Sequence, residues 1–303
     1  AMSHHISLPL AAAFTLFATL AQAQSLPFAV ETEGRLSFGY SDRTPGADAF
    51  LVGDATLRLD FSTLSSGLPL GVEIGLYGRA DALDTPHETY GALTWDLPGG
   101  GRFLAGVPRP AYDSFAVSAI DSHFPSLGVD RATLTRSEAT SGAMFFNYLP
   151  FGLRFQNETG GLRYATSLHR ADNVDRTIAS FGFARDVADW TFEGAIEASF
   201  GATTDVGGKM QVHGTLGAVS GGIGYYAPGA VAGPDLFEAF ASFDPIARVT
   251  LSGVLQMPVN SASDPTVGLS ARYAARDNLG LTLGVVSDAG ADVAVSAFLD
   301  WTF

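Results

Sequence analysis

The titratable side chains of this 303-residue sequence include six histidines and no cysteine, so thiolate metal sites and disulfides are excluded. His4 and His5 fall at the N-terminal end, and His87, His123, His169 and His213 lack the spacing of metal ligands. Ser167 and His169 sit two apart and would share one face of a strand, which leaves a serine–histidine hydrolytic pair open, although such loose spacing arises often by chance. Gly160 and Gly161 read as a turn, since no helix follows them to cradle a phosphate. The charged residues are more informative. Arg35, Arg58, Arg79, Arg102 and Arg154 recur in separate short segments, whereas Asp113, Asp121, Asp130 and Glu138 crowd one stretch. Opposed charges across a narrow water column make a transverse field, which orients dipolar solutes, slows apolar ones and biases the passage of ions. The same stretch also carries Arg109, Arg131 and Arg136, leaving it a net charge of only −1.

The segments bearing the arginines alternate with period two. Glu31, Glu33, Arg35, Ser37 and Gly39 oppose Val30, Thr32, Leu36, Phe38 and Tyr40; Asp54, Thr56, Arg58 and Asp60 oppose Ala55, Leu57, Leu59 and Phe61. Residues i and i+2 would fall on opposite sides of a helix, so these are strands. The pattern predicts sixteen: 29–40, 50–61, 69–79, 88–96, 101–107, 150–157, 161–170, 176–185, 189–199, 209–218, 220–227, 235–243, 247–256, 266–275, 279–287 and 291–303. Connections after even strands are mostly tight and turn-like, such as LPGG, ETGG and DNLG; those after odd strands tend to be longer, such as SDRTPGADA and FGATTDVGG. This rhythm predicts an all-β fold, a transmembrane antiparallel up-and-down β-barrel of about sixteen strands.

Three considerations put the polar face inside. Sixteen strands enclose a lumen too wide for side chains to fill. The polar set holds too many charges for a sealed core, among them Arg163, Glu73, Glu193 and Glu197. Aromatic residues, including Trp95, Trp190, Trp301 and Phe303, lie near strand ends on the apolar face, as interface girdles require. A charged fraction of 16% against an average of about 25% suits such a barrel. The net charge of −14 argues against nucleic acid as a partner.

Residues 1–23 read as a cleaved signal peptide, with an apolar run from Leu8 and small residues at Ala21 and Ala23, although its start carries no Lys or Arg. Residues 24–303 then form a single barrel domain. One connection breaks the rhythm: about forty residues, roughly 108–149, separate the fifth and sixth strands. A loop that long is uncommon and usually functional, and here it is long enough to fold inward and narrow a pore.

The stretch GRFLAGVPRPAYD resembles the strand leading into the constriction loop of Gram-negative general porins, which also carry their inward loop after the fifth strand. Length, strand count, loop rhythm and the terminal Phe303 extend the resemblance over the whole mature chain, most closely to the alphaproteobacterial type. The resemblance implies a homotrimeric channel in the cell outer membrane, in contact with lipid and lipopolysaccharide, for passive diffusion of small hydrophilic solutes and ions. It implies acidic loop residues Asp113, Asp121, Asp130 and Glu138 facing a basic wall of Arg35, Arg58, Arg79, Arg102 and Arg154, no enzymatic activity and no cofactor. A divalent cation at Asp172 and Asp175 and solvated loop tips both remain open there, as do a substrate-specific channel and a plugged barrel with binding or hydrolase activity.

Overall fold

The computed structural model describes residues 28–42, 49–62, 69–81, 84–229, 233–287 and 293–303; the expected signal peptide lies outside them. Sixteen strands form one closed antiparallel barrel: β1 (Ala29–Ser41), β2 (Ala49–Asp60), β3 (Leu70–Asp81), β4 (His87–Asp96), β5 (Arg102–Val107), β6 (Pro150–Thr159), β7 (Leu162–Ala171), β8 (Arg176–Val187), β9 (Trp190–Phe200), β10 (Asp205–Leu216), β11 (Val219–Ala227), β12 (Asp235–Ile246), β13 (Val249–Val259), β14 (Thr266–Arg276), β15 (Leu279–Ser287) and β16 (Val293–Thr302). Each strand pairs with its neighbour in sequence, and β1 pairs with β16, so no edge is left open. The expected strands match these in number and order. The largest offset is at β10, which begins four residues earlier than the pattern predicts, because Gly207 and Gly208 carry no polarity to show the alternation.

The seam is closed by charge as well as by backbone. Asp300, on the inner face of β16 and buried, accepts hydrogen bonds from Arg35 Nε at 2.9 Å and Ser37 Oγ at 2.8 Å on β1, and from Thr282 Oγ1 at 2.9 Å on β15. Gly34 and Phe303 exchange backbone hydrogen bonds at 3.0 and 3.1 Å. The Trp301 and Phe303 rings pack at a tilt of 45° with centroids 5.0 Å apart. Along β4 the residues alternate strictly: Leu93 and Trp95 are 66% and 53% exposed on the outside, while Glu88, Tyr90 and Thr94 face inward and are buried. The apolar outside and polar inside are the arrangement of a barrel that lies in lipid.

Inward residues are nevertheless not all polar. Phe50, Val52, Val254, Val286 and Phe298 also point to the lumen, and the segment between β5 and β6 covers them. That segment is not structureless: it folds into a 3-10 turn (Ala111–Ser114) and short helices at Ala119–His123, Pro125–Asp130, Ala132–Thr135 and Glu138–Phe146.

Candidate functional site: the loop across the lumen

The loop seats on three sectors of the inner wall. Val129 and Ala132 pack with Phe50, Val52, Tyr77 and Tyr90 on β2–β4. Ala111, Tyr112 and Phe115 pack with Ala165, Ala184 and Ala195 on β7–β9. Ile120, Phe124 and Leu127 pack with Val254, Val286 and Ala294 on β13, β15 and β16. The wall makes room for the two large rings by omitting side chains. A Cβ on Gly182 would stand 2.3 Å from the Phe115 ring, and one on Gly268 would stand 2.3 Å from the Phe124 ring.

Polar wall residues fasten the loop's backbone. His169 Nε2 meets the Pro108 carbonyl at 2.9 Å; Ser167 Oγ accepts from Ala111 N at 2.9 Å and Ser180 Oγ from Tyr112 N at 3.3 Å. Ser167 and His169, the pair that spacing left open for hydrolysis, are therefore separate anchors of the loop's first turn. No hydrogen bond joins them; Ser167 bonds instead to Ser180, at 2.8 Å.

Two wall glutamates clasp helix N-termini in the same way. Glu238 on β12 accepts from Ser118 Oγ at 2.6 Å and Ala119 N at 2.9 Å, and Ser118 caps the helix that follows. Glu197 on β9 accepts from Ser137 Oγ at 2.5 Å and Glu138 N at 2.7 Å, and Ser137 caps the helix Glu138–Phe146. In each case a carboxylate is placed against the positive end of a helix and satisfies a donor that the helix leaves unpaired. Glu193 adds a third clasp, accepting from Ala116 N at 2.7 Å. Alternation along β9 puts Glu193 and Glu197 on the wet face, but nothing in the local sequence marks their partners. The capping signature Ser118–Asp121 was a readable sign of a helix start.

The structure distributes charge differently from an acidic loop facing a basic wall. Asp130 pairs with Arg79 and Glu138 with the β8 residue Arg176 at 3.2 Å, both across the loop–wall boundary. Asp113 turns into the loop, where it accepts from Ser137 N at 2.6 Å and from Thr140 Oγ1. Asp121 pairs with Arg136 of the loop at 2.5 Å. Of the wall arginines, Arg35 pairs with Asp300 and Arg58 with Glu73 at 2.8 Å, so both are neutralised by the wall itself. Arg102 pairs with Asp96 at the tight-turn rim, away from the loop. Arg154 has no carboxylate partner among the described residues; it donates to the Arg109 carbonyl at 2.9 Å and Ser114 Oγ at 3.0 Å.

The loop supplies the opposing cations. Arg109 pairs with Asp54 on β2 and lies 5.0 Å from the Tyr90 ring centroid; Arg136 lies 4.2 Å above the Tyr77 ring and 3.7 Å from the same aspartate. Burial works against both charges, but the carboxylates outweigh it and hold each guanidinium above its usual range: Asp54 for Arg109, Asp121 and then Asp54 for Arg136. At Asp172 and Asp175, Arg170 already bonds to both carboxylates. Among the described residues no group of three or more potential ligands is placed to hold a metal.

Beneath the loop, toward the tight-turn rim, lies a cavity of about 730 Å³ lined by Arg35, Arg58, Arg109 and Arg154 and by Glu33, Asp54 and Glu73. Above it, toward the rim of longer connections, is a second of about 310 Å³, lined by Tyr112, Tyr148, Arg176 and Glu197.

A closed sixteen-stranded up-and-down barrel, apolar outside and crossed inside by the loop after β5, has the architecture of a porin. The chain matches no protein-family model and no curated protein sequence. Its fold is that of the porin of Rhodopseudomonas blastica: three engineered variants of that porin align over 91% of this chain and 100% of theirs, with TM-scores of 0.65, 0.65 and 0.67 and identities of 12%, 12% and 14%.

Proposed function

We propose that this protein is an outer-membrane porin, a water-filled channel for passive diffusion of small hydrophilic solutes and ions, narrowed by the loop after β5. The observation that carries this reading is the division of labour in the lumen: apolar patches and glutamates hold the loop, while arginines and carboxylates line the cavity of about 730 Å³ left beside it. Fixed charges of both signs in a narrow passage suit polar solutes and oppose apolar ones. The proposal includes export with the 1–23 segment removed, assembly as a homotrimer and contact with lipopolysaccharide. Apolar residues exposed on the outer face of β1, β3 and β4, such as Phe38, Ile74 and Leu93, offer a protein neighbour a surface there. Asp113, Asp121, Asp130 and Glu138 with Arg35, Arg58, Arg79 and Arg154 then act through the network they build around the loop. No enzymatic role is proposed, because Ser167 and His169 serve the loop backbone.

The test is single-channel conductance and ion selectivity of the purified, folded protein in planar bilayers, against a variant shortened within 113–140. Large, poorly selective steps that widen on shortening support the porin. A second reading, a barrel plugged by its loop with a binding role, is favoured by the seating of the loop on three sectors of the wall. Conductance that appears only after shortening would select it.

A further inference from the structure

The cavities of about 730 and 310 Å³ are lined by different residues, with one exception; a third, of about 390 Å³ beside β10–β12, shares Val117 and Ser122 with the larger and no residue with the smaller. Among the described residues, Arg136 alone lines both the inner cavity of about 730 Å³ and the outer one of about 310 Å³. It is 7% exposed, follows the helix Ala132–Thr135, and its backbone N–H closes that helix onto the Ala132 carbonyl. Its guanidinium is fixed on two sides, by the Asp121 carboxylate at 2.5 Å and by the Tyr77 face at 4.2 Å, with Asp54 at 3.7 Å. The Nε of the same group has no hydrogen-bond partner among the described residues. Lys209 on β10 donates to the carbonyl of the preceding residue, Thr135, at 2.9 Å and so braces the backbone from the opposite wall.

We infer that Arg136 is the selectivity-determining residue of the passage: the route between the outer and inner cavities runs past its guanidinium, and both its bulk and its charge limit what crosses. The inference rests on the channel reading proposed above. Its physical basis is that a charge weighs most on a permeating ion where the water column is narrowest and the surroundings are least polarisable. Arginines that line only the wide inner cavity act through more water. Arg136 is also a cation contributed by the loop, so the part of the passage it controls has the opposite sign from an acidic loop. The paired Asp121 lowers its net field without removing its volume.

Bulk and charge separate in two substitutions. Arg136→Met keeps most of the volume and removes the charge; Arg136→Ala removes both. Arg102→Ala, which removes one arginine at the tight-turn rim, controls for net charge. Each protein is first shown to be folded by its heat-modifiable electrophoretic mobility, and single-channel conductance and the reversal potential in a KCl gradient are then measured. The expected result is a shift of the reversal potential toward cation preference in both Arg136 variants, a conductance rise of about two-fold or more in Arg136→Ala alone, and neither effect in Arg102→Ala. A silent wild type that conducts as Arg136→Ala also supports the assignment, since the partition then seals the pore. A conducting wild type whose Arg136 variants match it overturns the assignment while leaving the channel intact. Folded proteins that are all silent overturn the channel reading and the assignment with it.

Discussion

Glu238 accepts a hydrogen bond from Ser118 Oγ at 2.6 Å, although 120 residues separate them in the chain. The same carboxylate receives Ala119 N, Gln256 Nε2 at 2.8 Å and the Tyr226 hydroxyl at 3.1 Å, so one buried wall residue satisfies a loop helix and two neighbouring strands. Glu197 repeats the arrangement with Ser137. The loop is thus held by its helix starts as well as by its apolar residues.

Replacing Glu238 by alanine takes the acceptor from four buried donors, of which Gln256 Nε2 keeps Ser118 Oγ at 3.1 Å; each of the other three costs about 1–3 kcal/mol when left unpaired. The loop of Glu238→Ala is expected to be cut faster by trypsin than that of the wild type, with Glu238→Gln in between because its amide oxygen still accepts. Equal cleavage rates in all three would show that the clasp does not hold the loop.

The seat of Phe115 depends on the missing side chain at Gly182, 2.3 Å from where a Cβ would stand. Gly182→Val is expected to destabilise loop docking by about 1–3 kcal/mol, as overpacking does. Phe115→Ala in the same chain should recover much of that loss, because the ring that clashes is gone. A double-mutant cycle on urea midpoints measures the coupling; additive effects would place the cost of Gly182→Val in the strand itself.

His123 has its ring pushed down to about 4, first by burial and then by the nearby Arg35, with Asp300 opposing weakly. The unfolded ring titrates near 6.5. Between these values the unfolded chain binds a proton that the folded one refuses, so stability falls as pH drops from 6.5 toward 4 and falls no further below. His123→Gln is expected to flatten that part of the pH profile of the unfolding midpoint. An unchanged slope would assign the acid sensitivity to other groups.

Arg109 and Arg136 are both held above the ordinary arginine range by their carboxylates. Whatever ion preference they impose should therefore persist without titrating up to about pH 11, well below the ordinary arginine pKa. Reversal potentials measured from neutral pH to that limit give the check. An inflection that survives Lys209→Met and is abolished by Arg136→Met would mean that the guanidinium loses its proton there.

Much of the barrel is written locally. Alternation of period two along β4 or β16 needs only neighbouring residues to be visible, because a strand sends successive side chains to opposite faces. Sixteen such segments, joined by short and long connections in turn, fix the strand count and the up-and-down order, and the surplus of charge on one face gives the sign of the barrel. Where composition is neutral, as at Gly207 and Gly208 at the start of β10, that signal fades and the boundary moves.

The occupancy of the lumen was decided by the tertiary structure. Arg35 lines the inner cavity, and closure of the barrel also sets it against Asp300, 265 residues away. Glu197 and Glu238 have the alternation of wetted wall residues, and it is the inward fold of the loop that sets Ser137 and Ser118 against them. Arg109 and Arg136 belong to a stretch whose carboxylates were the more conspicuous feature, yet both converge on Asp54 while Asp113 turns back into the loop. The sequence by itself determined the wall, because backbone geometry and solvent polarity act residue by residue. The site depended on which distant groups a closed barrel brings within 3 Å of one another, and hydrogen bonds and ion pairs of that range leave no periodic trace along the chain.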